Sequence, residues 1–319
     1  MKNTLVLYET KYGFTEMFSK DAAMVLGPAS CMKMTKLTHL NQDFNFVLLC
    51  FPIYMEQPEP GVIQWVFNHR EWLKRRKVAL LCTCLETKSA KTYLKPICNI
   101  LGNCVVYQCG IASNLVLSKL NPCDRKLVEN FLTSKGFEIR DYDCYKKEEA
   151  IKILLEIKKR KDQPDQNLDR KKLLPLCEDF LMNHNTCVLS TGFGTRVRAT
   201  PVEYRYQNGF IYIYSEGGEK FANLLLNANS SIGVFNEFQG MNQLRGMQIT
   251  GDAKIMEYGS DAYRSSLKLR DLDFDKVEKL PFPLHIIQIK IIYLEFLWSG
   301  FSQMGVDIKQ ILRFEPLPV

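Results

Sequence analysis

Thr10-Lys11-Tyr12-Gly13-Phe14-Thr15 brings three hydroxyl side chains and a glycine into six consecutive residues. The apolar, β-branched run Thr4–Tyr8 precedes them and reads as a buried strand. Phe14, Met17, Phe18, Ala22, Val25 and Leu26 follow at helical spacing. A strand, a tight hydroxyl-rich loop and a helix N-terminus make an anion site, because free backbone N–H groups and the positive end of the helix dipole face the loop. The loop has neither the Gly-x-Gly-x-x-Gly of a dinucleotide fold nor a Gly-Lys-Ser/Thr ending. Hydroxyls without a lysine–magnesium arrangement suit a monophosphate such as that of FMN. The competing reading is an ordinary βα turn.

The elements around this loop alternate. Strands are expected at Thr4–Tyr8, Cys31–Met34, Phe46–Phe51, Val78–Cys84 and Cys104–Gly110, with helices at Phe14–Leu26, Gly61–Leu73 and Ser89–Leu101. Asn121-Pro122 reads as an N-cap with proline at the first helical position, Gly136 as the stop of that helix, and Lys147–Lys159 as a last helix. Apolar strands alternating with helices imply an α/β, doubly wound parallel sheet covered on both faces. Such sheets bind ligands at the carboxyl ends of their strands, where the Thr10–Thr15 loop lies.

Residues 1–161 are therefore read as one domain, 162–170 as a polar, proline-containing linker and 171–319 as a second domain. The second opens with a short helix, Leu173–Met182. Strand-like runs follow at Thr186–Ser190, Arg198–Tyr206, Phe210–Ser215, Ser231–Phe238, Gly246–Glu257, Leu284–Leu297 and Ile308–Phe314. Gln207-Asn208-Gly209 is a strong hairpin turn, and short helices fit Lys220–Asn227 and Asp261–Leu269. Consecutive strands with few helices imply an antiparallel barrel.

A chain of 319 residues with 46% apolar and 24% charged content is ample for two cores. The net charge of +7 is spread out. Its two runs, Lys74-Arg75-Arg76-Lys77 and Lys158-Lys159-Arg160-Lys161, lack interleaved aromatics, read as solvated faces and argue against nucleic acid as a partner. A basic surface would still attract an anionic substrate or an acidic redox protein. No hydrophobic run long enough to span a bilayer and no signal-peptide pattern is present, so no membrane insertion and a cytoplasmic location are expected. The 11 cysteines read as reduced thiols, and no metal site is expected. His184 and His285 read as structural histidines.

The first half resembles flavodoxin-like domains, specifically the flavodoxin-type protoporphyrinogen oxidase branch. Thr10, Lys11, Tyr12, Gly13, Phe14 and Thr15 stand where that family carries its FMN phosphate loop. Phe51-Pro52-Ile53-Tyr54 stands where it places a Pro-Ile-Tyr loop against the flavin ring, and Leu85-Glu86-Thr87 where the other side is flanked. The resemblance thus assigns Pro52, Ile53 and Tyr54 to the flavin, with Tyr54 as a stacking surface. Many relatives have glycine next, whereas this chain has Met55-Glu56-Gln57-Pro58. Two outcomes stay open: FMN bound with an altered potential, or a domain that has lost it.

The second half resembles the pyridoxamine 5′-phosphate oxidase-like family, a split β-barrel that commonly binds FMN across a homodimer interface. Arg196-Val197-Arg198-Ala199-Thr200-Pro201-Val202, the hairpin to Ser215, and Gly217-Gly218-Glu219-Lys220 carry the likeness. It assigns Arg196 or Arg198, Ser215 and Lys220 to a phosphate, with Thr200 in the same pattern and Gln248 on a strand near the cofactor. Arginine forks, a hydroxyl and an ammonium suit a dianion. Some relatives bind F420 or heme instead. Trp298-Ser299-Gly300-Phe301 replaces the substrate-binding Arg and His of true pyridoxamine phosphate oxidases, which argues against vitamin B6 oxidation.

Together the resemblances imply an FMN-dependent oxidoreductase with up to two FMN per chain. It would pass electrons between the flavodoxin-like domain and the barrel, and reduce or oxidise a flat conjugated small molecule. A homodimer is expected, with a redox protein as a possible donor. No catalytic acid or base can be assigned from the sequence, as befits chemistry carried by a cofactor. The alternative is a non-catalytic flavin or heme carrier.

Overall fold

A computed structural model describes residues 3–37 and 44–314. The chain divides into two compact units, Met1–Gln163 and Pro164–Val319.

In the first unit the elements run β1 (Thr4–Tyr8), α1 (Phe14–Val25), β2 (Ala29–Lys33), β3 (Phe46–Tyr54), β4 (Gln57–Pro58), α2 (Pro60–Asn68), α3 (Arg70–Leu73), β5 (Lys77–Cys84), α4 (Ala90–Leu101), β6 (Val105–Ala112), β7 (Asn114–Leu115), α5 (Pro122–Ser134), β8 (Tyr142–Asp143) and α6 (Lys147–Lys161). The parallel strands lie in the order β2-β1-β3-β5-β6, with β4 an antiparallel edge piece on β3. This is the flavodoxin-like order, whose switch point falls between β1 and β3.

Alternation along the strands splits the core in two. Leu5, Leu7, Val47, Leu49, Val78 and Leu80 face α2 and α4 through Val62, Val66, Leu94 and Ile97. Val6, Leu48, Cys50, Ala79 and Leu81 face α1 and α6 through Phe18, Ala22, Leu154 and Ile157. Strands buried on both faces explain the continuous apolar runs of the sequence.

Local chemistry moves several boundaries. The helix expected over 61–73 is two, broken at His69, whose ring stacks on Trp65 at 4.1 Å and whose Nδ1 lies 2.7 Å from the Trp65 carbonyl. Both basic runs hold a residue that is not a solvated charge. Arg76 lies over the Trp72 ring at 4.2 Å and donates to the Phe44 carbonyl. Lys161 is 2% exposed and donates to the Gly27 carbonyl at 3.0 Å.

The second unit runs α7 (Arg170–Met182), β9 (Thr186–Phe193), β10 (Arg196–Gln207), β11 (Phe210–Ser215), α8 (Glu219–Leu224), β12 (Asn229–Phe235), β13 (Arg245–Ile255), α9 (Asp261–Leu267), α10 (Phe274–Val277), β14 (His285–Trp298) and β15 (Lys309–Arg313). Strands pair in the order β11-β10-β9-β12-β13-β14, and β14 pairs back onto β11, closing a six-stranded antiparallel barrel with β15 appended to β14. Inward residues such as Leu189, Tyr204, Ile213, Ile232, Ile249 and Ile289 fill it. Asn208 and Gly209, with φ of 48° and 83°, turn the β10–β11 hairpin in the I′ sense.

The segment expected as a linker is bound to this unit. Asp165 N–H donates to the Asp307 carboxylate at 2.6 Å and Leu168 N–H to the Gln310 side chain at 2.9 Å. Helix α7 begins at Arg170 rather than Leu173, because Asp169 caps it by accepting from Lys171 N–H.

Candidate functional site

The first cluster is the loop between β1 and α1. Gly13, at φ 87°, makes the left-handed turn into the helix, and its N–H donates to Thr10 Oγ1 at 3.0 Å. Thr10 N–H donates to the Glu9 carboxylate at 3.2 Å, and Glu9 also pairs with Lys33 at 2.9 Å. Tyr12 donates its hydroxyl proton to Asp124 of α5. Asp124 also receives Lys11 Nζ at 2.5 Å and Asn121 Nδ2 at 2.9 Å. Its carboxyl is held below the usual carboxylate range, first by the hydrogen bond from Lys11 and then by that from Tyr12. Thr15 is turned inward, 2% exposed, with its hydroxyl 2.9 Å from that of Thr83. Phe14 packs edge-on against Tyr145 at 5.2 Å. Four of the six expected residues thus line the open loop, and Phe14 and Thr15 do not.

Across the switch point, β3 runs further than the sequence indicates. Pro52 and Ile53 are strand residues, paired with Thr83 and Pro58, rather than a free loop. Tyr54 ends the strand. Burial pushes its phenol up to about 12, opposed by a hydrogen bond from the Lys11 backbone N–H. Tyr54 therefore touches the β1–α1 loop itself. Met55 and Glu56, at φ 50° and 64°, form a two-residue turn in the left-handed region. Glu56 pairs with Lys135 at 2.9 Å, just past the end of α5. The 85–87 segment is drawn close to β6: a Cβ on Gly110 would stand 3.4 Å from Thr87 Cα and 2.7 Å from Ala90 Cβ. An open cavity of about 170 Å³ beside this region is lined by Glu9, Glu59, Val62 and Trp65, an acidic wall unsuited to an anion.

The second cluster surrounds the 215–220 turn of the barrel. Arg198 and Arg196 both reach Glu219, at 3.3 and 3.9 Å. Ser215 Oγ donates to the Gly217 carbonyl at 3.1 Å, and Lys220 Nζ donates to the same carbonyl at 2.5 Å. Lys220 is only 7% exposed, and burial lowers its ammonium pKa. No carboxylate pairs with it among the described residues; its other partner is the Phe221 ring at 5.2 Å. Two guanidiniums, one hydroxyl and one poorly compensated ammonium converge here, a donor set that fits a phosphate dianion.

Thr200 lies on the same face of β10 as Arg198, two residues along and opposite inward Leu189. Gln248 lies on the other face, exposed between buried Met247 and Ile249, so within one chain the structure does not bring it to the arginines. Both ring nitrogens of His184 are engaged, with the Phe180 carbonyl and Asn236. His285 packs edge-on against Phe221. Trp298 stacks on Phe296 and lies 4.7 Å from the Arg245 guanidinium, a packing role.

Sequence reasoning missed three acids: Glu9, Asp124 and Glu219. Glu9 and Glu219 adjoin the motifs and carried a readable signal. Asp124 is 112 residues from Tyr12 and carried none. All eleven cysteines are free thiols, and among the described residues no group of three His, Cys, Asp or Glu could hold a metal ion. Nor, among them, is any helix long and apolar enough to cross a membrane.

Residues 5–136 match the family of flavodoxin domains. No curated protein matches the chain. Solved structures similar to the chain include a protein related to general stress protein 26, of the pyridoxinephosphate oxidase family, from Clostridium acetobutylicum (10% identity, 46% of this chain and 97% of that one, TM-score 0.35). An FAD-binding protein from Mesorhizobium loti is similar at 18% identity over 38% of this chain and 89% of its own, TM-score 0.30. The heme storage protein HutZ from Vibrio cholerae is similar at 15% identity over 37% and 88%, TM-score 0.32. The N-terminal half thus resembles flavodoxin domains by family match and strand order, and the C-terminal half is the closed six-stranded antiparallel barrel.

Proposed function

We propose that the protein is an FMN-dependent oxidoreductase that passes electrons between its flavodoxin-like domain and a flavin site in the barrel, acting on a flat conjugated small molecule. The observation that carries this is the convergence of Arg196, Arg198, Ser215 and Lys220 on one turn. Bound FMN would supply reversible one- and two-electron transfer. The chain's own part is to bind and orient. The arginines offer forks to phosphate oxygens, Lys220 a third positive charge and Ser215 a hydroxyl. Glu219 holds the two guanidiniums together until an anion arrives. In the first unit, Thr10, Lys11, Tyr12 and Gly13 are the binding loop and Tyr54 the aromatic surface. A second copy of the chain fits the outward face of the barrel, where Val197 is 82% exposed and Phe235 62% exposed.

A reading with flavin in the barrel alone draws on one observation: in the first unit Glu9, Asp124 and Tyr54 already occupy the loop donors. Flavin content per chain after reconstitution with excess FMN tests both. Two per chain, with Lys220→Met and Thr10→Val each removing one, supports the relay. One per chain, lost only with Lys220→Met, leaves the barrel site alone. None sinks the flavoenzyme reading.

A further inference from the structure

We propose that Asp124 stands in for a phosphate at the Thr10–Gly13 loop, so that this loop takes a phosphate monoester only by displacing it. The inference deepens the reading of that loop as a cofactor site and rests on it. One carboxylate oxygen of Asp124 receives the Lys11 ammonium, the Tyr12 hydroxyl and the Asn121 amide. The first two donors belong to the loop and are the groups an incoming phosphate would need. A carboxylate is the nearest protein mimic of a phosphate face, since it accepts several charge-assisted hydrogen bonds at once.

The placement of Asp124 gives the contact a use. It lies in the first turn of α5, in a segment between β6 and α6 that the parallel sheet does not require. Asn121 fixes the turn by accepting from Asp124 N–H at 2.8 Å. At the other end of the same helix, Lys135 pairs with Glu56 in the turn after β3. The eleven steps from Asp124 to Lys135 span roughly 16 Å at about 1.5 Å per residue. Helix α5 therefore ties the loop after β1 to the turn after β3, the two walls of the switch-point crevice. Phosphate binding at Lys11 and Tyr12 releases the first tie, so occupancy of the crevice and the position of α5 become linked.

The test is phosphate and flavin titration of the full chain with Lys220→Met and Arg198→Ala together, which strip the barrel cluster of two of its three cations, with and without Asp124→Asn. Asparagine keeps the size and one acceptor but removes the charge. Inorganic phosphate and FMN should each bind at least tenfold tighter when Asp124→Asn is present, and riboflavin, which lacks the phosphate, should be unchanged. Asp124→Ser serves if the asparagine form misfolds. Equal or weaker phosphate affinity, or no phosphate binding in either chain, overturns the proposal even if FMN binds. Tighter phosphate with no preference for FMN over inorganic phosphate upholds it, and overturns instead the assignment of flavin to this loop.

Discussion

Lys220→Met should separate stability from binding, with opposite signs. Methionine keeps the length and apolar stem of lysine, so packing is nearly conserved. What changes is an ammonium, 7% exposed, with one carbonyl acceptor and, among the described residues, no carboxylate. Relieving such a buried charge gains about 1–2 kcal/mol, and losing the hydrogen bond to Gly217 costs about 1 kcal/mol. The cofactor-free variant is therefore expected at parity with the wild type or about 1 kcal/mol more stable, a rise of up to about 4 °C for a unit of this size. FMN affinity should move the other way, by about 1.5–3 kcal/mol for one lost charge-assisted bond, or roughly 10- to 150-fold. The pH dependence has a defined sign. Burial lowers the folded-state pKa, so protonated Lys220 opposes folding. The stability gap between the proteins is full below that pKa and closes as pH rises through it, while the unfolded lysine stays protonated to about 10.4. Urea denaturation at neutral and alkaline pH, paired with FMN fluorescence titration, reads all three effects. A variant destabilised by more than about 1.5 kcal/mol, or one that binds FMN as tightly as the wild type, would refute the reasoning.

Further tests bear on other parts of the chain. Replacing Met55-Glu56 with Asn-Gly puts residues that tolerate the left-handed region at both positions, at the cost of some Met55 contact and the exposed Glu56–Lys135 pair; chemical denaturation should show a net gain of about 0.5–1 kcal/mol. Gly300→Ala puts a Cβ 2.4 Å from Trp298 Cε2 and should cost about 1–3 kcal/mol, with a shifted tryptophan emission spectrum. Arg198→Ala should weaken FMN binding to the barrel and make the remaining affinity less sensitive to salt, as isothermal titration at two ionic strengths would show. Val197→Glu on the outward face should shift sedimentation from dimer to monomer without unfolding the barrel.

Periodicity made the larger features legible. Continuous apolar runs at Phe46–Phe51 and Val78–Cys84 could only be strands buried on both sides, and the structure covers them on both. Asn208-Gly209 fixed a hairpin because its two residues tolerate the positive φ that the turn demands. Met55-Glu56 adopts the same kind of turn with residues that do not favour it, and for that reason the sequence points to a loop after Phe51 instead of a strand to Tyr54. The turn holds because β3 and β4 pair on either side of it and Lys135 anchors Glu56. Strand ends at such places are decided by tertiary contacts that a local reading does not contain.

The same logic explains which site residues were legible. In the barrel, Arg196, Arg198, Ser215 and Lys220 were expected from the family resemblance, and they lie within one short stretch of chain, β10 to the start of α8. In the first unit the loop was visible but its partner was not, because Asp124 arrives from a helix outside the alternating pattern. An anion loop closed by the chain's own carboxylate is electrically quiet: Lys11 and Asp124 neutralise one another, and Tyr12 has its acceptor. The barrel cluster differs in degree: Glu219 engages only the two arginines, and among the described residues no carboxylate pairs with Lys220. A phosphate gains more where charge is poorly compensated than where a carboxylate must first be displaced. The two sites should therefore fill in order, the barrel at lower FMN concentration and the flavodoxin-like loop at higher. A titration in which Thr10→Val removed the tighter phase and Lys220→Met the weaker one would reverse that order and refute the argument.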